Sequence, residues 1–139
     1  MSNSKWRCIW LRNNGIWGTQ NVCYYCGQRA DSVDHVIPKS MLRQLAALGD
    51  AQITKTVLRK RALKVWACRE CNCLASDSFQ DSLVERRNFV KAKLRKRYRK
   101  ILAIPKWEES ELEELGYVLR QHVELYARIK EWIKLRISF

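Results

Sequence analysis

Short apolar runs separated by turn residues fill the first half of the chain. Residues 33–37 form one such run, and Pro38 ends it, which predicts a β-strand. Residues 65–67 predict a second strand. Between them, residues 41–48 have a helical pattern, and Gly49 fits the C-cap of that helix. The other segments lack a clear period: residues 5–22 predict a strand or an irregular lead-in, and residues 51–63 a short helix or a loop insertion.

The second half of the chain is patterned as helices. Apolar residues recur at helical steps over residues 79–103, which predicts a helix that Pro105 ends. A second apolar stripe predicts a helix over residues 108–137, with Ser110 and Glu113 as its capping box. The short connection between the two helices predicts an antiparallel helical hairpin.

These elements predict an α+β fold that is mostly helical. Residues 1–78 would form a core with an N-terminal lead-in, and residues 79–139 a C-terminal hairpin packed on that core. A core helix is predicted to begin after Asn72. A length of 139 residues fits one domain, or a small core with an appendage.

Charge predicts a polyanionic partner. Lys and Arg number 27 against 14 Asp and Glu, a net charge of +13, and the pI is about 9.8. Such an excess favours nucleic acid over a membrane surface. No apolar run approaches the roughly 18 residues of a transmembrane span, and no signal-peptide pattern opens the chain. These features predict a cytoplasmic protein with no membrane partner, and they do not decide between a monomer and a homodimer.

Cysteine spacing predicts a structural zinc site. Cys23 and Cys26 form one C-x-x-C knuckle, and Cys68 and Cys71 form another. Four thiolates in this arrangement make a closed tetrahedral zinc site with no open position. Without a secretory signal, metal binding is favoured over disulfides. Two cysteines are left over: Cys8 reads as an apolar filler, and Cys73 is an alternative zinc ligand that breaks the regular knuckle spacing.

Polar residues with a different chemistry lie next to the knuckles. Asp34 and His35 lie between them, and Asn72 directly follows the second. An imidazole base and two oxygen ligands are the groups that metal-assisted phosphodiester hydrolysis needs. Their alternatives are ordinary ones: a turn-capping Asp, a core or surface His, and an Asn that caps a helix. Two further acids, Asp31 and Asp77, are spare candidates for oxygen ligands.

The order of these motifs resembles the zinc-bearing HNH endonucleases, whose core is the ββα-metal (His-Me finger) fold. The resemblance covers residues from about 17 to about 79 and is carried by CxxC, then DHxxPK, then CxxCN. It implies that Asp34 and Asn72 ligate a catalytic divalent metal, Mg²⁺ or Mn²⁺, and that His35 is the general base. Many such proteins are phage-encoded, which would place this one in the host cytoplasm.

The resemblance implies a metal-dependent DNA endonuclease whose structural zinc is separate from its catalytic metal. The stretch 61–67 lacks the Asn that relatives usually carry before the second knuckle. That departure favours an alternative: a zinc-ribbon DNA-binding or regulatory protein on the same scaffold that does not cut.

Phosphate contacts are predicted for basic residues on two segments. Residues 79–105 hold nine Lys and Arg and two acids. Those nearest the acidic stretch 108–114 would pair with it in a hairpin, which leaves the others for DNA. The predicted DNA-binding residues are Lys39, Arg43, Arg86, Arg87, Lys91 and Lys93, together with the basic run 59–61.

Overall fold

A small sheet and a set of helices make up the described part of the protein. The computed structural model describes residues 16–47, 49, 63–76 and 78–139. The predicted α+β, mostly helical class is confirmed. The strands are β1 (Ile16–Trp17), β2 (Ser32–His35) and β3 (Lys64–Ala67); the helices are α1 (Lys39–Ala47), α2 (Arg69–Ala75), α3 (Leu83–Arg97), α4 (Arg99–Leu102), α5 (Glu109–Glu113) and α6 (Tyr117–Ser138).

The sheet has the strand order β1-β3-β2. β2 and β3 pair antiparallel, with Asp34 opposite Val65 and His35 opposite Lys64. β1 pairs parallel with β3. The two strands predicted at 33–37 and 65–67 are therefore confirmed, with slightly different ends.

α2 begins earlier than the sequence predicts. The expected start lay after Asn72, but the helix begins at Arg69 and includes both Cys71 and Asn72. Two side chains fix this start. The Cys68 sulfur accepts a hydrogen bond from the Cys71 amide at 3.5 Å, and Asp31 Oδ1 accepts one from the Arg69 amide at 2.7 Å. They satisfy amides that have no partner within the helix.

The first of the two long helices is shorter than predicted and is interrupted. It begins at Leu83 because the Ser82 hydroxyl accepts a hydrogen bond from the Glu85 amide at 3.1 Å, a regular N-cap. It breaks at Tyr98, and α4 continues the chain to Leu102. The basic residues of this region are therefore divided between α3 and α4.

The last helix is also divided. α5 and α6 are separated by residues 114–116, and Gly116 has an extended conformation and serves as the N-cap of α6. The predicted capping box of Ser110 and Glu113 is wrong, since the box in the structure is formed by Glu108 and Glu111.

α6 returns toward the core alongside α3 and α4. Lys130 of α6 donates a hydrogen bond to the Ile104 carbonyl, just after α4. Arg87 of α3 donates one to the Phe139 carbonyl, just after α6. The α3 residues Val90 and Leu94 belong to the same buried cluster as the knuckle cysteines. Residues of the two predicted units therefore share one core. None of the helices in the described residues has the length and apolar character to cross a membrane.

Candidate metal centre

The first knuckle is a tight turn held against the sheet. The Gly27 amide donates to the Cys23 carbonyl at 2.9 Å, and Gly27 itself has a φ of 70°. That left-handed conformation suits glycine because it has no Cβ. The Tyr24 amide donates to the Trp66 carbonyl of β3 at 2.8 Å, which fixes the turn next to the strand leading to the second knuckle.

Cys68 and Cys71 come to the same place from the end of β3 and the first turn of α2. The sulfurs of the four knuckle cysteines, Cys23, Cys26, Cys68 and Cys71, all lie within 4.8 Å of one another. Three of the side chains are buried and that of Cys68 is half-buried. Cys73 is exposed on the outer side of α2 and is not part of this cluster.

The sulfur positions fit a tetrahedral metal ion. A zinc–sulfur bond of about 2.3 Å gives a tetrahedron with edges of about 3.8 Å. The sulfurs of Cys26 and Cys68 are 3.7 Å apart, and the cysteines are free. A disulfide would need about 2.05 Å between sulfurs. The four cysteines can therefore hold a metal ion such as zinc.

Hydrogen bonds within the cluster shift the pKa values of the four thiols. A hydrogen bond from the Cys23 thiol lowers the pKa of Cys68 to about 6, and another lowers the pKa of Cys26. Hydrogen bonds to the neighbouring thiols, together with burial, raise the pKa of Cys23 and of Cys71. A metal needs all four as thiolates, so its binding releases protons and is opposed by acid.

Asp34 lies beside the metal centre in a buried ion pair. Its Oδ2 is 2.8 Å from Arg86 Nε and its Oδ1 is 3.0 Å from Arg86 Nη2. The Tyr25 hydroxyl also donates to Oδ2. Burial, together with the neighbouring Asp34 carboxylate, raises the pKa of Tyr25. The proposed metal-ligating acid is therefore held by a cation and a hydroxyl.

The prediction that Arg86 contacts DNA phosphates is wrong. Its side chain is 0% exposed. Besides Asp34 and Tyr25, its guanidinium donates to acceptors in the segment before α3: the carbonyls of Ser76 and Ser78 and the side chain of Gln80. All its donors are used inside the protein, which is the usual way a buried charge is tolerated.

Asn72 connects α2 to the strand that carries the other two candidate residues. Its Nδ2 donates to the Ser32 hydroxyl at 3.3 Å and to the Val33 carbonyl at 3.5 Å. The alternative role as a helix N-cap is excluded, because Cys68 occupies that position. The side-chain oxygen of Asn72, the atom that would ligate a metal, accepts no hydrogen bond from the described residues.

Asp34 and His35 lie on opposite faces of β2. Successive side chains alternate along a strand, so His35 shares a face with Val33 and Asp34 shares one with Ser32. Asp34 is buried, and His35 is half-buried at the end of the strand. Asn72 contacts the Ser32 hydroxyl and therefore lies toward the face of Asp34. The three candidate residues occupy two adjacent elements, but they do not share one face of the strand.

The other predicted DNA-binding residues of α3 are engaged to different degrees. The Arg87 guanidinium lies 5.3 Å from the ring centre of Tyr24 and 5.1 Å from that of Phe139. Lys93 lies over the Phe89 ring at 4.4 Å. Burial and the neighbouring charges of Arg87 and Arg95 lower the pKa of Lys91. Phosphate contacts by Arg87, Lys91 and Lys93 stay predictions.

The predicted pairing of the basic stretch 95–100 with the acidic stretch 108–114 is not found. Arg97 pairs with Glu70 at 3.2 Å, and Glu109 pairs with Arg120 at 2.8 Å. Among the described residues, no ion pair engages the remaining cations of this stretch, which are all exposed: Arg95, Lys96, Arg99 and Lys100. The end of α3 and α4 therefore present one group of exposed cations that no ion pair engages among the described residues.

Arg136 of α6 is a residue of the metal centre that the sequence did not indicate. Its Nη2 lies 3.6 Å from the Cys26 sulfur and 4.0 Å from the Cys71 sulfur. It also pairs with Glu70 of α2 at 2.7 Å. Arg136 is distant in sequence from both knuckles and sits in an amphipathic helix, so only the packing of that helix reveals it.

The remaining predicted site residues lie on α1, cap α2 or fall outside the described residues. Asp31 caps α2, as described above, and Arg43 is exposed on α1. Lys39 is the first residue of α1. Cys8, Asp77 and the basic run 59–61 lie outside the described residues.

Comparisons of the chain with protein-family models, with curated proteins and with solved structures gave no match.

Proposed function

We propose that this chain is a zinc-stapled, metal-dependent endonuclease of the HNH type that hydrolyses DNA. The observation that carries the proposal is the link from Asn72 to the Ser32–Val33 stretch of β2. It brings the last residue of the CxxCN motif against the strand that ends in Asp34 and His35, next to the four-thiol cluster. The CxxCN motif thus meets β2 beside the four-thiol cluster, on the face of Asp34 and opposite to that of His35.

The two metals have different support. Zinc in the four-thiol cluster agrees with the sulfur spacing and with burial. For Mg²⁺ or Mn²⁺, the side-chain oxygen of Asn72 has no donor among the described residues, but the Asp34 carboxylate is held by Arg86 and does not fit a divalent cation in this arrangement. Such a metal, when bound, stabilises negative charge on the phosphate and the leaving oxygen.

The chain's own residues have separate tasks in the proposed reaction. His35, half-buried at the end of β2, accepts a proton from the attacking water, for which a neutral imidazole is suited near neutral pH. Arg95, Lys96, Arg99 and Lys100 bind phosphates along the DNA without reading its sequence. The four knuckle cysteines keep β2, β3 and α2 together.

A second candidate is a zinc-stapled DNA-binding protein that does not cleave. Two observations favour it. The Arg86 guanidinium donates hydrogen bonds to both carboxylate oxygens of Asp34. The His35 side chain projects from the opposite face of β2. In this case the basic surface would be retained and the hydrolytic chemistry lost.

Nicking of supercoiled plasmid by zinc-loaded protein distinguishes the two candidates. The nuclease proposal expects nicking with added Mg²⁺ or Mn²⁺ and at least a roughly 10²-fold loss in His35→Ala, the usual cost of losing a general base. His122→Ala is the matched control, since the chain has two histidines and His122 is exposed on α6. DNA affinity should be unchanged in both variants. DNA binding without nicking in either metal would instead establish the second candidate.

A further inference from the structure

The C-terminal end of α6 rests directly on the first knuckle. Trp132 Nε1 donates to the Gln28 side chain at 3.0 Å. The Phe139 ring fills the space above Gly27 so closely that a Cβ there would lie 2.5 Å from the ring. The last turns of the chain therefore contact the loop that carries Cys23 and Cys26.

Arg136 occupies the centre of this contact. It is 2% exposed, and its guanidinium lies between the sulfurs and the aromatic rings of Trp132 and Tyr98, 4.6 and 5.9 Å from their centres. Its Nε and Nη1 are buried and have no hydrogen-bond partner among the described residues. The carboxylate of Glu70 contacts Nη2 and is shared with Arg97 and Tyr98. A cation buried in this way needs more negative charge than one shared carboxylate supplies.

Metal binding would provide that charge. Four thiolates around Zn²⁺ would carry a net charge of −2, and the Arg136 guanidinium lies against two of them. Two of the sulfurs involved, those of Cys26 and Cys71, are the ones within 4.0 Å of Arg136.

We infer that Arg136 is the charge partner of the metal centre, and that metal binding and docking of the C-terminal end of α6 reinforce each other. A group outside the ligand shell that compensates ligand charge raises metal affinity. By thermodynamic reciprocity, the metal then strengthens the docking of the helix that carries this group. The inference rests on zinc in the four-cysteine site and is independent of DNA cleavage.

The decisive measurement is zinc affinity, by competition with a chromophoric chelator, in the full-length chain. Arg136→Met keeps an apolar side chain of similar length and removes the charge. It should raise the zinc Kd by about 10- to 100-fold, the usual effect of losing such a partner. Arg136→Lys keeps the charge and should retain most of the affinity. Arg128→Met is the matched control, because Arg128 is exposed on the same helix, and its Kd should equal that of the wild type.

Hydrogen exchange at saturating zinc provides the second readout. Amides of residues 130–139 should exchange faster in Arg136→Met than in the wild type or in Arg128→Met, because the end of α6 is less firmly docked. Equal zinc affinities of Arg136→Met and the wild type would overturn the inference, as would equal losses in Arg136→Met and Arg136→Lys, which would indicate packing instead of charge. If Arg136→Met does not fold, Arg136→Lys decides the question by itself. A zinc Kd raised by about 100-fold in that variant, which keeps the charge, would overturn the inference. No DNA is present, so the outcome is separate from that of the nuclease proposal.

Discussion

Arg86 and Asp34 form a two-pronged ion pair in the interior, with Nε and Nη2 of the arginine 2.8 and 3.0 Å from the two carboxylate oxygens. The residues come from α3 and β2, so the pair joins the C-terminal helices to the sheet. Both were predicted to serve DNA cleavage, one as a metal ligand and the other as a phosphate contact. In the structure the two side chains instead compensate each other's charge through two hydrogen bonds.

Removing one member of this pair should strongly destabilise the protein. Arg86→Ala leaves the Asp34 charge buried without its partner, and a loss of about 3–5 kcal/mol in the free energy of unfolding is expected. Arg86→Lys should also be costly, because an ammonium group cannot reproduce the two parallel hydrogen bonds. Chemical denaturation measures both. Arg95→Ala is the control, exposed on the same helix, and should change stability by less than about 0.5 kcal/mol.

Replacing both members together should cost much less than either single change. Apolar substitution of a complete buried ion pair is often neutral, since no unpaired charge remains. The double variant Asp34→Leu with Arg86→Met should therefore recover a large part of the stability lost in Arg86→Met alone. Additive losses in the double-mutant cycle would show that the two residues do not interact as their geometry indicates.

Zinc should be part of the folding free energy. Cys71→Ser removes one of four ligands and should lose both bound zinc and cooperative unfolding, since structural zinc contributes on the order of 10 kcal/mol in small domains. Cys73→Ser is a closely matched control, two residues along the same helix and exposed. Elemental analysis and thermal melting measure both effects. Acid should weaken zinc binding, because protons compete for the thiolates. Well-folded wild-type protein without metal would contradict this prediction.

Asn72→Ala tests whether this side chain is a metal ligand or only a structural link. The variant loses the Nδ2 hydrogen bonds to β2, at a cost of about 1 kcal/mol, and also the side-chain oxygen. If the oxygen ligates a catalytic metal, the Mg²⁺ or Mn²⁺ concentration for half-maximal nicking should rise. Ser32→Ala removes one of the same hydrogen bonds and leaves the oxygen in place. Its metal response should be that of the wild type, and identical shifts in both variants would assign Asn72 a purely structural role.

Salt dependence should locate the DNA-binding surface. Each phosphate contact contributes a slope of about −0.9 to log affinity against log salt on duplex DNA. Arg95→Ala with Arg99→Ala removes two exposed cations and should flatten the slope by about two units on any sequence. Arg120→Ala with Lys134→Ala removes two cations already engaged by Glu109, Glu124 and Glu131 on or near α6. An equal effect from that second pair would show that overall charge, and not this surface, determines affinity.

Local sequence patterns were sufficient for much of the fold. The apolar runs located β2 and β3, and the helical periodicity located the region of α3 to α6. The knuckle spacing identified the four cysteines that converge, because C-x-x-C brings two sulfurs to one side of a tight turn. Helix ends were less predictable. Cys68 and Asp31 determine the start of α2, and Asp31 reaches it from a segment far away in sequence.

Charged residues have no such local signature, and their roles were decided by tertiary packing. Arg86 lies in a run of basic residues, yet it faces Asp34 in the interior, while Arg95 and Arg99 of the same run are exposed. Arg136 contacts the thiols only because α6 returns to the core. The sequence by itself determined the α+β class, the four cysteines that can hold a metal ion and the net positive charge. The tertiary structure decided which charges are buried and paired, because each depends on a partner many residues away along the chain.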